Sequence, residues 1–314
     1  MKRWQLDRPN LAKVSNLRKV LWRVKEPEKP WGGPWTEIKL NAFEGYVRAY
    51  LKIMKKRKYW KTIYFDGFAG TGSRKSKESL DIENFEITKD EELMYRGAAE
   101  RVVRMTAPSI FDFYYFIEKS RKNLEQLKSK LRQIPEATGK KLSFRSEDCN
   151  KELLKLSKAL QTKKYAALIF LDPFGMQVSW ESIASLRGTR SDIWILLPTA
   201  VIVNRLLDRK GELRAIKRLE SFFGLTEEEI RNRFYLKTGQ QQLFTADSQE
   251  VRKVLDPINK IAALYISRLE EVWKYVTRKP LRLDNRKGSP LFHFVFASNK
   301  DKALQIANHI IQKN

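Results

Sequence analysis

A chain of 314 residues, 42% of them hydrophobic, can fill a complete core, which excludes wholesale disorder and leaves room for one large α/β domain or a domain with a sizeable insertion. Lys and Arg number 62 against 37 Asp and Glu, and the net charge of +25 favours phosphate-rich polyanions as partners, with an anionic membrane surface as the lesser option. A single cysteine, Cys149, excludes an internal disulfide and an all-Cys metal site, and His293 and His309 stand in no ligand-spaced cluster, so no protein-bound metal is expected.

Residues 1–33 read as a basic N-terminal extension. The first 30 hold nine basic and three acidic residues, and the segment closes in a joint of Pro27, Pro30, Gly32 and Gly33. Its start has charge but no apolar stretch behind it. The longest apolar run, Ile193 to Val203, is broken by Pro198 and Thr199 and is too short to span a bilayer, so a soluble cytoplasmic protein is expected.

Thr36 offers an N-cap, and Ile38, Ala42, Tyr46, Ala49 and Ile53 recur at helical spacing, predicting a helix to about Lys56. Short β-rich runs follow: Thr62–Phe65, Phe111–Ile117, Leu142–Arg145, Ala166–Leu171 and Ile193–Leu197. Helical patterns separate most of them, Tyr95–Thr106, Arg121–Ile134 and Lys151–Leu160 among them. Near-continuous apolar strands alternating with helices predict an α/β fold with a mostly parallel sheet covered on both faces. Glu78–Glu92, with seven acids and one lysine, has no periodicity and reads as a mobile loop. Residues 200–275 read as an all-helical insertion, with helices at Val201–Leu207, Leu213–Phe223, Glu227–Phe234 and Val254–Tyr275. Sheet then resumes in Val276–Asp284 and Leu291–Ser298, an antiparallel edge pair about a turn at Lys287-Gly288. A closing helix, Lys302–Ile311, would be capped by Asn299 or Asp301. The main domain is thus 34–199 with 276–314.

Four segments carry candidate chemistry. In Ile63-Tyr64-Phe65-Asp66-Gly67-Phe68-Ala69-Gly70-Thr71-Gly72 a buried strand ends in an acid and a glycine-containing loop. A Walker A loop would need lysine where Ser73 stands, and Asp66 would repel phosphates. A dinucleotide fingerprint would need a third glycine where Lys75 stands. What remains is D-x-F-x-G-x-G, the loop of methyltransferases that bind S-adenosylmethionine, whose ammonium and sulfonium suit an acid; a purely structural turn is the competing reading. Glu118, directly after Tyr114–Ile117, can accept both ribose hydroxyls of an adenosyl ligand or can be a helix-start acid. Asp148 can accept from an adenine amino group or cap the helix that follows it, and neither reading prevails. Cys149 at a helix start could have a lowered pKa, but it lacks the motif of a nucleophile and reads as a bystander. Asp172-Pro173-Phe174-Gly175 ends the strand Leu168–Leu171 and resembles the D-P-P-[YF] segment of amino-methylating enzymes, with the aromatic shifted by one. In that pattern the Asp side chain and the next carbonyl accept from the target amino group, and the aromatic stacks on the base.

With these segments in order, together with Pro34-Trp35-Thr36-Glu37-Ile38-Lys39-Leu40, Leu197-Pro198-Thr199-Ala200, Asn204-Arg205 and Phe292–Ser298, residues 34–314 resemble the three-Cys-motif partner protein family. That family is a branch of the S-adenosylmethionine-dependent methyltransferase superfamily. The resemblance implies a Rossmann-like methyltransferase fold. It places Asp66, Gly67, Phe68, Gly70 and Gly72 around the methionine part of the cofactor, Glu118 on the ribose and Asp148 near adenine. It also implies a partner protein whose three cysteines hold an iron–sulfur cluster. Two readings result. One is a methyltransferase acting on nucleic acid at a base amino group, with Asp172, Pro173 and Phe174 as its acceptor site. The other is an accessory subunit that keeps the fold and serves the three-Cys partner.

Overall fold

The strands of the main sheet are β1 (Lys61–Asp66), β2 (Phe113–Ile117), β3 (Leu142–Arg145), β4 (Tyr165–Leu171), β5 (Ser191–Leu197), β8 (Tyr275–Val276), β9 (Leu281–Asp284) and β10 (Pro290–Ser298). The order is β3-β2-β1-β4-β5-β10, with β8 and β9 both on the outer side of β10. The first five strands are parallel, and β10 runs antiparallel to β5 with His293 opposite Leu197. This is a Rossmann-like α/β sheet. The strand order reverses between β1 and β4, so their carboxyl ends open a crevice at the switch point. The computed structural model describes residues 34–71, 97–206, 215–237, 251–253, 256–285 and 288–314. The basic extension, the acidic segment Glu78–Glu92 and Lys287 lie outside the described residues.

The two faces of the sheet differ in chemistry because side chains alternate along each strand. One face is aromatic: Tyr64, Tyr114, Phe116, Phe170, Trp194, Phe294 and Phe296. It is covered by α1 (Pro34–Met54), α2 (Ala98–Arg104), α3 (Arg121–Arg132) and the closing helix α10 (Asp301–Lys313). The ring centroids of Phe43 on α1 and Phe170 are 4.3 Å apart, and Tyr46 meets Trp194 edge-on at 5.6 Å. The other face is aliphatic, with Ile63, Ile169, Ile193, Ile195 and Val295. It lies under α4 (Cys149–Gln161) and α5 (Trp180–Ala184), and under helices from the 200–275 segment.

Those helices are α6 (Thr199–Leu206), α7 (Ile216–Phe223), α8 (Glu227–Phe234) and α9 (Pro257–Leu269). Leu219, Phe222, Ile230, Ile261, Tyr265 and Leu269 join the aliphatic core of the sheet, so this segment shares one core with the main domain. It is not wholly helical. Tyr235–Lys237 (β6) pairs antiparallel with Val251–Lys253 (β7). The last helix also starts later than Val254, at Pro257, where proline's fixed φ suits the first turn.

Three further expectations are corrected. Of the predicted α1 stripe, Ala42 and Tyr46 are buried and Ile38 packs against the core, but Ile53 is 41% exposed, and the buried face also takes in Lys39, Leu40, Phe43, Val47, Tyr50 and Leu51. The strand predicted over Val276–Asp284 is broken into β8 and β9. Neither Asn299 nor Asp301 caps α10: its N-cap is Lys300, whose N–H donates to Ser298, while the Asn299 carboxamide is engaged by the Lys274 N–H and the Thr189 carbonyl.

Gly224 ends α7 in the left-handed conformation, φ 63°, and a β-carbon there would stand 2.1 Å from Cδ1 of Trp180. Alanine meets both the left-handed penalty of about 1–2 kcal/mol and an overlap with a buried indole. Gly224→Ala should lower stability by at least about 2 kcal/mol, read as a fall in urea midpoint at unchanged m-value. A midpoint equal to that of the parent chain would show that the α7 terminus does not need this packing.

Candidate functional site

The carboxyl edge of the parallel strands gathers most of the residues singled out in the sequence. β1 delivers Asp66, in register with Phe116 of β2 and Phe170 of β4. The loop beyond it is stitched to both neighbours: the Gly67 N–H donates to the Phe170 carbonyl at 3.0 Å, and the Ala69 N–H to the Ile117 carbonyl at 2.9 Å. Gly67 is a packing requirement, since a β-carbon would fall 2.5 Å from Leu171 and 2.6 Å from the Cys149 sulfur. Phe68 is half-buried against the aliphatic core. Gly70 has φ 64°, and among the described residues no atom beyond its own chain neighbours lies within 4 Å of where its β-carbon would stand. The backbone there is thus free for close approach by a ligand. Gly72 lies outside the described residues.

Asp66 is 2% exposed. Its Oδ1 accepts from the Phe68 N–H at 3.3 Å and its Oδ2 from the Tyr64 hydroxyl at 3.1 Å. Burial pushes its pKa up to about 7 against these two hydrogen bonds; Asp172 adds to the rise and Lys39 opposes it.

Asp172, just beyond β4, is 3% exposed, and Lys39 on α1 is fully buried. The Lys39 ammonium donates to Asp172 Oδ2 at 2.5 Å. The second oxygen, Oδ1, is buried with no hydrogen-bond partner among the described residues. An unpartnered buried carboxylate oxygen is costly and calls for an explanation. Burial raises the pKa of Asp172, and the ammonium of Lys39 holds it back down. Pro173 is buried, and Phe174 is half-buried with its N–H donating to Gln177 Oε1 at 3.1 Å.

The remaining predicted residues sit on the same edge with local duties. Glu118 is half-buried after β2, and its Oε1 accepts from the Ser120 N–H at 2.8 Å. Ser120 in turn caps α3. Asp148 caps α4 by accepting from the Asn150 N–H at 2.9 Å, which is the helix-cap alternative for that residue. Cys149 is buried and desolvation pushes its thiol up, the opposite of an activated nucleophile. Beyond β5, Thr199 Oγ1 lies 3.0 Å from Nδ1 of His293. Burial, with Arg282 second, pushes His293 down to about 4.

Lys39 is the functional candidate that the sequence reading missed. Its signal was available: it falls four and seven residues before Phe43 and Tyr46, on the buried stripe, where a lysine needs a counter-charge.

Among the described residues no group of three or more His, Cys, Asp or Glu could hold a metal ion, and no helix is long and apolar enough to cross a membrane. No family model and no curated protein sequence matches the chain. Among solved structures it is similar to protein LPL1258 of Legionella pneumophila, from the DUF519 family, at 13% identity and TM-score 0.44, covering 90% of this chain and 92% of that one. It is also similar to Trm1 of Pyrococcus horikoshii in complex with S-adenosyl-L-methionine, at 10% identity and TM-score 0.40, covering 87% of this chain and 58% of that one.

Asp66 weakens the fold in a pH-dependent way. Below the unfolded value of 3.8 it is protonated in both states and costs nothing. Between 3.8 and about 7 the folded state holds a proton that the unfolded state releases, so stability falls as pH rises, and above 7 the penalty is constant. Asparagine can accept from the Phe68 N–H and donate its amide N–H to the Tyr64 oxygen without the charge. Asp66→Asn should therefore raise the melting temperature at pH 8 more than at pH 5. Equal melting shifts at the two pH values would show that the carboxyl is not perturbed.

Proposed function

We propose that the protein is an S-adenosylmethionine-dependent methyltransferase acting on nucleic acid, at an amino group of a base. The observation that carries the reading is the orphaned Oδ1 of Asp172 at the end of β4, beside the Asp66–Gly70 loop and across the switch point from Glu118. Sheets of this kind bind ligands at that crevice. Asp66 and the open backbone at Gly70 would hold the cofactor's methionine part, and Glu118 its ribose. Asp148, already a helix cap, would contribute to the adenine end through its surroundings. S-adenosylmethionine, when bound, supplies an electrophilic methyl group on a sulfonium.

The chain's own residues would orient the acceptor. Asp172 Oδ1 accepts one N–H of the amine, the Pro173 carbonyl accepts a second, and the nitrogen lone pair is left aimed at the cofactor. Lys39, by donating to Oδ2, opposes the rise that burial imposes on the carboxyl's pKa. Phe174 lines the base. The excess of 62 cations over 37 anions would hold the polyanion.

The Lys39 contact also favours a second reading. A carboxylate already paired inside the protein suits a fold-keeping accessory subunit for a three-Cys, iron–sulfur partner. Under that reading both the intact chain and a variant at Asp172 capture the partner, and neither methylates any nucleic acid offered.

Two measurements test the enzyme. The melting temperature of the intact chain should rise with millimolar S-adenosylmethionine or its demethylated product, as binding to the native state requires. Gly70→Val, strained at φ 64° and projecting into the open space, should melt without any ligand-dependent rise. No shift in the intact chain would end the cofactor reading.

The second measurement isolates the carboxylate. Asp172→Asn alone removes the counter-charge of the buried Lys39 ammonium and should cost about 3 kcal/mol or more. Lys39→Met combined with Asp172→Asn removes both charges and should recover most of that stability. The double variant should bind cofactor within a few-fold of the intact chain. It should methylate at least about 100-fold more slowly, the scale of one lost transition-state contact. Mass spectrometry of nucleosides after incubation with labelled cofactor reads the rate, and a rate equal to the intact chain's would put the acceptor site elsewhere.

A further inference from the structure

We infer that a second, basic groove at the amino-terminal edge of the sheet, opposite the candidate methyl-transfer edge, docks the phosphate backbone of a single-stranded nucleic acid. The groove has a volume of about 560 Å³ and is bordered by Lys55, Lys58, Lys61, Lys141, Trp60 and Ile110. Four parts of the fold converge on it: the end of α1 with the turn beyond it, the start of β1, and the segments leading into β2 and into β3. Only its occupant rests on the nucleic-acid reading above; its existence does not.

The charge pattern is the first argument. Between positions 52 and 61 the chain carries Lys52, Lys55, Lys56, Arg57, Lys58 and Lys61, all exposed, and no acid. Lysines in the last turn of a helix are favoured by its dipole, which accounts for Lys52 and the neighbouring Lys55. It does not account for Lys58, Lys61 and Lys141. Lys61 donates to Asp112 at 3.2 Å, the one carboxylate bordering the groove. Lys55 and Lys58 have no ion-pair partner among the described residues. Like charges gathered this closely repel unless a polyanion neutralises them.

The second argument is apolar. Among the described residues the large hydrophobic side chains left exposed are Ile53, Tyr59 and Ile110, at 41%, 67% and 42%. Ile110 borders this groove, and Ile53 and Tyr59 belong to the segment that does. Arg190 sits 3.8 Å from the Trp60 ring centroid and takes one face of that ring, and the Tyr59 ring, 67% exposed, leans on Trp60 at a centroid distance of 4.2 Å. Cations around a concave floor with an exposed aromatic at the rim are the elements of a single-strand groove, in which backbone is held by charge and bases stack on rings.

The geometry adds a length requirement. From Lys39, at the candidate site, to Lys55, at the groove, α1 rises about 24 Å at 1.5 Å per residue. A strand touching both must span about seven base steps of 3.4 Å.

The test is fluorescence anisotropy of the full chain with a labelled single strand of roughly 20 nucleotides, titrated across salt. Lys55→Gln with Lys58→Gln should flatten the slope of log affinity against log salt by about 1.4, from about 0.7 for each lost phosphate contact. Tyr59→Ala should weaken binding at least about fivefold while leaving the slope unchanged. A strand of roughly four nucleotides should not gain from both sites. All three residues are exposed, and unchanged melting curves would confirm intact folding. If the intact chain binds the strand and both variants bind it identically, the groove proposal falls and the nucleic-acid reading stands. If the intact chain binds no strand, that reading falls and takes this occupant with it. If the same lysines instead govern binding to phosphatidylserine vesicles while the strand is ignored, the occupant is a lipid surface and the proposal is overturned.

Discussion

Two formal charges leave water together where Lys39 of α1 meets Asp172 at the end of β4. Removing either ion from solvent costs several kcal/mol, and only a well-placed opposite charge offsets it. The pair therefore fixes the position of α1 to within a fraction of a turn. A slip by one residue would rotate the helix about 100° and lift it about 1.5 Å, leaving both charges buried without each other. With that register set, Phe43 lies on Phe170, and the Tyr46 hydroxyl reaches Asp192 Oδ2 at 2.7 Å. Asp192 takes a second hydrogen bond from Ser298 of β10 at 2.6 Å. One helix is thus locked to β4, β5 and β10 through polar contacts on an otherwise aromatic face.

The edge that carries the candidate chemistry follows from the same arrangement. Parallel strands end together, so Asp66, Glu118, Asp148 and Asp172 come from four separate stretches of chain yet share one rim. Of these, Asp148 is committed to a helix terminus, and Glu118 already accepts from a backbone N–H. Asp66 and Asp172 are the two held under strain of burial, and Lys39 and Tyr64 are the groups that moderate it. The helices of residues 199–269 seal the aliphatic face of the sheet and leave the rim to the strand ends and their loops.

Most of this was legible from residue order. Apolar runs such as Tyr114–Ile117 and Leu168–Leu171 are long enough and continuous enough to mark buried parallel strands, and the acids at their ends mark the rim. The place of Lys39 on the buried face of α1 was not legible from apolar spacing, because a search for hydrophobic residues picks out Ala42 and Tyr46 and skips a lysine. The β6–β7 ladder escaped because two three-residue strands carry too little periodicity to register. The cap of α10 was misplaced because Asn299, a good cap by type, is used to tie Lys274 and Thr189 together. Asp148 shows the opposite limit: both of its readings were visible, and only coordinates could report which hydrogen bond it makes.

The buried Asp66 carboxyl, poised near neutrality, gives the crevice a proton inventory of its own. Near neutral pH a cation settling beside the carboxylate favours its charged form and expels a fraction of a proton into solution. The heat of that event then contains the ionisation enthalpy of whatever buffer takes the proton up. Calorimetric enthalpies measured in phosphate and in Tris would differ by that fraction multiplied by the difference between the two buffers' ionisation enthalpies, and the quotient counts the protons released without any mutation at all.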